Sequence, residues 1–129
     1  MNLPASVKVG GLRYRIESWH PSASQAVRRF GECAHLEQVI RVDESHGPER
    51  TREVLLHEIL HAITHVFGPD HLPTTGIDDQ QEAFVGCAAM GLTAVLLDNP
   101  MLRDWIVKSF EETPTSIPIR PDQLWGNQR

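Results

Sequence analysis

The feature that most constrains this chain is a His-Glu-x-x-His sequence set among apolar residues, His57-Glu58-Ile59-Leu60-His61. If this stretch is helical, the two histidines lie one turn apart on the same face, and both imidazole rings can reach one metal ion. The surrounding apolar residues gather on the other side, which is expected to face a core. An ordinary amphipathic helix is the alternative, but a solvated surface would not require so strong an apolar frame.

The chemistry of zinc explains this spacing. A catalytic zinc ion takes three protein ligands and keeps one position for water. His57 and His61 supply two ligands from one rigid element, and Glu58 beside them can take a proton from water that the metal has made acidic. We therefore predict a zinc site with His57 and His61 as ligands and Glu58 as the general base, on a helix that runs from Pro48 to Phe67.

A second long helix is predicted from Ile77 to Asp98, and it contains fifteen uncharged residues in a row, from Ala83 to Leu97. A membrane span needs about 20 apolar residues, so we interpret this segment as a buried core helix.

The third zinc ligand is predicted at the start of this second helix. Glu82 shares a helical face with Gly86, Ala89 and Thr93, and such small residues allow two helices to approach closely. A close approach to the metal helix would bring the Glu82 carboxylate toward the two histidines, which is the pattern of two-histidine, one-carboxylate zinc sites. The alternative is an acidic residue that simply favours the positive end of the helix dipole.

The remaining pattern predicts an α+β fold. Gly10-Gly11 separates Val7-Lys8-Val9 from the alternating run Leu12 to Ser18, as in a β-hairpin, and a third strand is expected from Ala34 to Asp43. Met101 to Phe110 is amphipathic and predicts a C-terminal helix. We expect a small three-stranded antiparallel sheet packed on the metal helix, a buried ligand helix and a C-terminal helix.

Length and charge limit the class of protein. The chain of 129 residues predicts one domain, residues 1–110, followed by a Pro-rich tail, residues 111–129. A net charge of -5 argues against a nucleic-acid partner. Two isolated cysteines, Cys33 and Cys87, and an N-terminus without a signal peptide indicate a cytoplasmic protein that does not use a membrane.

Three stretches resemble the gluzincin metallopeptidases: Leu55 to Ile63, Gln81 to Val85 and Leu96 to Pro100. They are most similar to small phage and prophage proteins related to the ImmA/IrrE metallopeptidase family. The resemblance implies a zincin-like fold with zinc held by the two motif histidines and Glu82. It also implies a protein or peptide substrate bound as an extended strand along the sheet edge, and a location in the cytoplasm of a bacterium or a phage-infected host. Metzincins are excluded, because they require glycine and histidine where this chain has Thr64 and Phe67.

One departure from the zincin pattern concerns the group that stabilises the oxyanion. By residue type alone the candidates are Tyr14, His20, His35, His65 and His71. His65 is explained by its place near a helix C-terminus, where a histidine is favourable. His71, in the following loop, is the preferred candidate.

The sequence therefore predicts a zinc-dependent metallopeptidase that hydrolyses a peptide bond of a protein substrate. The main alternative is a catalytically silent, zinc-stabilised binding module that acts on a host or phage protein. A second alternative is an α+β domain without metal. The presence of Glu58 favours the enzyme, because a purely structural zinc has a closed shell and no water to activate. The substrate and the oligomeric state are not predicted.

Overall fold

The computed structural model describes residues 2–68 and 77–111. The described strands are β1 (Ser6–Val9), β2 (Leu12–Ser18), β3 (Gly31–Ala34) and β4 (Val39–Val42). The described α-helices are α1 (Pro21–Val27), α2 (Pro48–Phe67), α3 (Ile77–Asp98) and α4 (Pro100–Glu111), and a short 3₁₀ turn spans Glu44–His46. The predicted α+β class is confirmed. The predicted tail lies outside the described residues, apart from Glu111.

The N-terminal hairpin is confirmed. β1 and β2 pair antiparallel, with Val9 opposite Leu12 across the two-glycine turn. Gly10 has φ +59°, and a Cβ there would lie 2.8 Å from a methyl group of Val66 on α2. Glycine is therefore needed both for the turn and for its close approach to the helix.

The rest of the sheet differs from the prediction. The expected single strand from Ala34 to Asp43 is broken by a turn in which Gln38 has φ +53°, and this turn separates β3 from β4. β3 pairs antiparallel with β4, whereas β4 pairs parallel with β2, because β3 starts at the end of the sheet where β2 stops and carries the chain back before β4 begins. The result is a four-stranded mixed sheet of order β1-β2-β4-β3, so the predicted three-stranded antiparallel sheet was wrong in this detail. Leu36, inside the predicted strand, is fully exposed in the turn.

The core lies between the sheet and α2. The helix buries one broad side, which includes Leu55, Ile59 and Ile63, and leaves His57 and His61 exposed on the other. The sheet contributes a face of fully buried residues. These are Val7, Val9, Tyr14, Ile40 and Val42. Burial of aliphatic side chains at roughly 1.5–3 kcal/mol each fixes the helix on the sheet and thereby sets where the histidines point.

The predicted burial of α3 was wrong. Within the described residues, α3 contacts the core through a narrow stripe of Cys87, Gly91 and Val95. The face with Glu82 and Gly86 is exposed, so it is not the face that meets α2. By length and composition the segment Gln80–Asp98 could cross a membrane, but one such helix is weak evidence, and only 17% of it is buried inside the protein. Apolar composition alone did not show which side of α3 has a neighbour.

The last described helix, α4, is joined to strand β1 by Asn99, the residue that precedes the helix. The buried Asn99 side chain accepts a hydrogen bond from the Lys8 backbone N–H and donates one to the Lys8 carbonyl, both at 2.8 Å. A side-chain amide thus pairs with the outer edge of β1, as a neighbouring strand would. On the inner side of α4, Leu102 and Trp105 are buried.

Candidate metal centre

Helix α2 brings three ligand-type side chains together on one side. A ring nitrogen of His57, a ring nitrogen of His61 and a carboxylate oxygen of Glu58 all lie within 4.8 Å of one another. The Nε2 atoms of the two histidines are 3.2 Å apart. Both histidines are exposed, whereas Glu58 is only 5% exposed. Two imidazole nitrogens that converge beside a carboxylate form a donor set that suits zinc, so the residues present fit the ion.

The electrostatics of Glu58 suit a general base. Burial raises the pKa of its carboxyl group, and the nearby Glu32 acts in the same direction. The positive charges of His61, His57 and Arg29 act against this rise. Among the described residues, no hydrogen-bond donor reaches Glu58 Oε2, although that atom is buried. A carboxylate of raised pKa with one free oxygen is able to accept a proton.

The edge strand β3 lies directly against this carboxylate. A Cβ at Gly31 would stand 2.6 Å from Cγ1 of Val54, 3.0 Å from the Arg41 carbonyl and 3.2 Å from Cγ of Glu58. The contact with a backbone oxygen cannot be relieved by moving a side chain. Glycine at position 31 is therefore what allows β3 and the metal helix to approach so closely.

A cavity of about 620 Å³ opens between α2 and β3. The helix lines it with His57, Glu58 and His61, and the strand lines it with Glu32 and Cys33. Arg29 and Arg50 add positive charge to its wall. The cavity is large enough for part of a peptide and contains the whole three-residue group.

The other predicted site residues are not brought into this group. Glu82 is described and exposed on α3, outside the set of atoms within 4.8 Å, and its role as a ligand stays a prediction. His71 lies outside the described residues. His20 caps α1, where its ring nitrogen accepts a hydrogen bond from the Ser22 backbone N–H.

A further residue of the cavity wall is His35, which sequence reasoning had named by residue type only. Its Nδ1 lies 3.1 Å from the Tyr14 hydroxyl and 3.6 Å from Cys33 Sγ. Its ring stacks on that of His65, with centroids 4.1 Å apart. His35 is in the turn after β3, and no sequence periodicity relates that turn to α2. Only the folded chain places it beside the metal helix.

Comparison with known families identifies the fold around this centre. Residues 14–111 match the model of the peptidase M78 family, described as the IrrE N-terminal-like domain. The chain belongs to this family. The match covers most of the chain and confirms the resemblance predicted from the motif. No curated protein and no solved structure matches the chain. Membership in the peptidase M78 family suggests a metallopeptidase-like function, with zinc as the usual ion.

Proposed function

We propose that this protein is a zinc-dependent metallopeptidase that hydrolyses a peptide bond in a protein substrate. The observation that carries the proposal is the buried Glu58 carboxylate, which has a free oxygen and lies beside two converging histidines in a cavity walled by an edge strand. A structural zinc site would not require next to it a buried carboxylate with one oxygen that lacks a hydrogen-bond partner, because such an atom costs free energy.

Each residue of the group has a separate role. His57 and His61 hold the ion, which when bound supplies Lewis-acid chemistry that polarises a carbonyl and acidifies water. Glu58 takes the proton from the attacking water and later gives it to the leaving amine. Burial of Glu58 supports both steps, because a raised pKa makes the carboxylate a stronger base and its protonated form persists closer to neutral pH.

The substrate of the proposed enzyme binds as an extended strand along β3. β3 is the last strand in the described sheet, and β4 pairs with one of its edges only. Its residues line the same cavity as Glu58. The backbone groups of its outer edge are thus available to a peptide, which would gain main-chain hydrogen bonds next to the metal ligands.

Glu82 completes the ligand set in this proposal. Coordination requires its carboxylate to come closer to the histidines than it lies here, since it is outside their group. Gln81 is the matched control because it is exposed, adjacent and not ionisable. We expect Glu82→Gln to weaken zinc affinity by tenfold or more, and Gln81→Ala to leave it unchanged, in a competition titration against a chromophoric chelator. Equal affinity in both variants would remove Glu82 from the ligand set.

The main experiment compares wild type, Glu58→Gln and His61→Ala, each loaded with zinc and incubated with a complex mixture of peptides. Elemental analysis should find about one zinc per chain in wild type and Glu58→Gln, and a clear loss in His61→Ala. Mass spectrometry should find new peptide termini with wild type only. Glu58→Gln is the matched control, because it keeps the shape of the side chain and the metal but removes the base.

Two results would contradict the proposal. Cleavage by Glu58→Gln at the wild-type rate would show that Glu58 is not the base. Zinc binding without any cleavage by wild type, together with retained peptide binding, would instead favour the silent binding module.

A further inference from the structure

His35 occupies a distinctive place in the cavity wall. It follows the edge strand β3 directly and lines the same cavity as His57, Glu58 and His61. Its ring lies flat on that of His65, with an interplanar angle of 12°, and His65 is one turn beyond His61 on α2. A ring held between the end of the edge strand and the metal helix lies beside the path that an extended substrate would follow.

The contacts of His35 favour one tautomer. Within the described part of the chain, both of its polar contacts are made by Nδ1, to the Tyr14 hydroxyl and to the Cys33 thiol. Both neighbours carry a hydrogen, and Tyr14 is fully buried. If Nδ1 also carried a proton, the buried Tyr14 hydrogen would have no acceptor there. The favoured arrangement is therefore Tyr14 as donor, Nδ1 as acceptor and the proton on Nε2.

Burial keeps the Tyr14 hydroxyl protonated. Desolvation, and to a smaller extent the neighbouring Cys33, raise the pKa of the Tyr14 hydroxyl to about 12. The hydroxyl therefore keeps its hydrogen at neutral pH and remains able to donate it to Nδ1.

We propose that His35 is a catalytic residue whose Nε2–H donates a hydrogen bond to the oxyanion formed on the scissile carbonyl, and that Tyr14 is the positioning residue that fixes this tautomer. The proton stays on Nε2 throughout, and no bond of His35 is broken. The hydrogen bond strengthens as negative charge grows on the carbonyl oxygen, so it stabilises the transition state more than the bound substrate. This inference rests on the proposed peptidase function.

The other described candidates for this role have different positions. His65 is exposed and does not line the cavity, and its ring face is covered by His35. His20 is engaged as the cap of α1. Arg29 lines the cavity, but its positive charge acts on Glu58 and lowers the pKa of that carboxylate, against the effect of burial.

The test compares two variants that keep an aromatic ring in the stack. His35→Phe removes the donor, and His65→Phe is the matched control on the other side of the same ring contact. We expect His35→Phe to lower kcat by about a hundredfold to a thousandfold with little change in KM, the loss typical of one oxyanion donor. His65→Phe should stay within about twofold of wild type, and both should keep one zinc per chain. Unchanged kcat in His35→Phe, or an equal loss in both variants, would overturn the proposal.

A second readout needs no turnover. N-phosphoryl-leucyl-tryptophan carries a tetrahedral anionic group that mimics the intermediate. We expect zinc-loaded His35→Phe to bind this probe about tenfold to a hundredfold more weakly than wild type, because one hydrogen bond to a charged group is lost. Equal affinity for the probe would contradict the role of His35 even if a substrate were never found. Absence of zinc or of any cleavage in wild type would instead contradict the proposed function.

The tautomer itself is measured by ¹⁵N NMR of the histidine side chains, with His35→Phe used to assign the His35 signals. Wild type should show His35 with a protonated Nε2 and an unprotonated Nδ1. Tyr14→Phe should introduce the opposite tautomer and reduce kcat by less than His35→Phe does. Observation of a protonated Nδ1 in neutral wild-type His35 would overturn the proposal.

Discussion

Helices α2 and α3 are similar in length, 20 and 22 residues, yet they use their apolar residues in opposite ways. α2 buries one broad side and exposes two histidines on the other. α3 contacts the core through a narrow stripe around Gly91 and exposes large apolar residues such as Val85 and Leu97. This difference shows that polar residues determine which side of a helix faces the core and which side faces water. On α2 they mark the side that faces water, whereas α3 has no charged residue between Ala83 and Leu97 to do so.

The largest effect is expected from a matched pair of leucines. Leu55 on α2 is fully buried, whereas Leu97 on α3 is 73% exposed. Leu55→Ala should lower the free energy of unfolding by about 2–5 kcal/mol, because it removes buried contacts and leaves a cavity. Leu97→Ala should change it by about 0.5 kcal/mol or less. Urea unfolding of both variants measures the difference.

Equal losses in the two leucine variants would break the comparison. That result would mean that the exposed side of α3 is covered in solution, by a second copy of the chain or by the residues outside the described ranges. Sedimentation of wild type over a range of concentrations would separate these two cases.

The start of α2 offers a pH-dependent test. The buried Asp43 precedes this helix, and its carboxylate accepts hydrogen bonds from Ser24 Oγ at 2.5 Å and from Ser45 N at 2.9 Å. Burial alone would raise the pKa of Asp43, but the hydrogen bonds from Ser24 and Ser45, helped by His46, outweigh it and lower the pKa to about 2.

The sign of the effect follows from this lowered pKa. The ordinary value is 3.8, so the stabilisation by ionised Asp43 is complete above about pH 4 and is lost as the pH falls through 2. Asp43→Asn, which cannot ionise, should lower stability by about 1–3 kcal/mol at pH 7, and the difference from wild type should shrink toward pH 2. Urea midpoints at several pH values measure this. A difference that stayed constant with pH would show that the charge of Asp43 does not contribute.

Sequence reasoning predicted the elements that have strong local signals. α2 begins at Pro48 and ends at Phe67, which are the bounds predicted from the sequence. The hairpin around Gly10-Gly11 was also predicted correctly. The parallel pairing of β2 with β4 was not predictable in the same way, because it depends on the path of the chain through α1 and β3 and not on any local pattern.

The candidate site also combines features that a local sequence pattern predicts with features that depend on the folded chain. The convergence of His57, Glu58 and His61 follows from a spacing within one helix, so the sequence contains it. The contacts of Gly31 with α2 and of His35 with Tyr14 join residues far apart in the chain, and no spacing encodes them. The position of Glu82 depends on the orientation of α3, and the sequence pattern constrained this orientation less than any other feature of the fold.

The contact between the two helices gives a smaller effect. A Cβ at Gly91 would lie 2.2 Å from Cγ2 of Ile63, a buried β-branched residue with little freedom to move. Gly91→Ala should therefore lower the free energy of unfolding by about 1–3 kcal/mol, the usual cost of overpacking. Thermal unfolding measures it. No loss of stability would show that α3 lies farther from α2 in solution.

The smallest effect is expected at Gly86, five residues earlier in α3, and its sign is opposite. In the described part of the chain, a Cβ at Gly86 would meet no atom within 4 Å, and the residue is on the exposed side of the helix. Alanine loses less backbone entropy than glycine when a helix forms, so Gly86→Ala should raise the free energy of unfolding by up to about 1 kcal/mol. The same thermal unfolding series measures it beside Gly91→Ala. A loss of stability at Gly86 would mean that this side of α3 meets a close neighbour in solution, and the contrast with α2 would then be smaller than the fold shows.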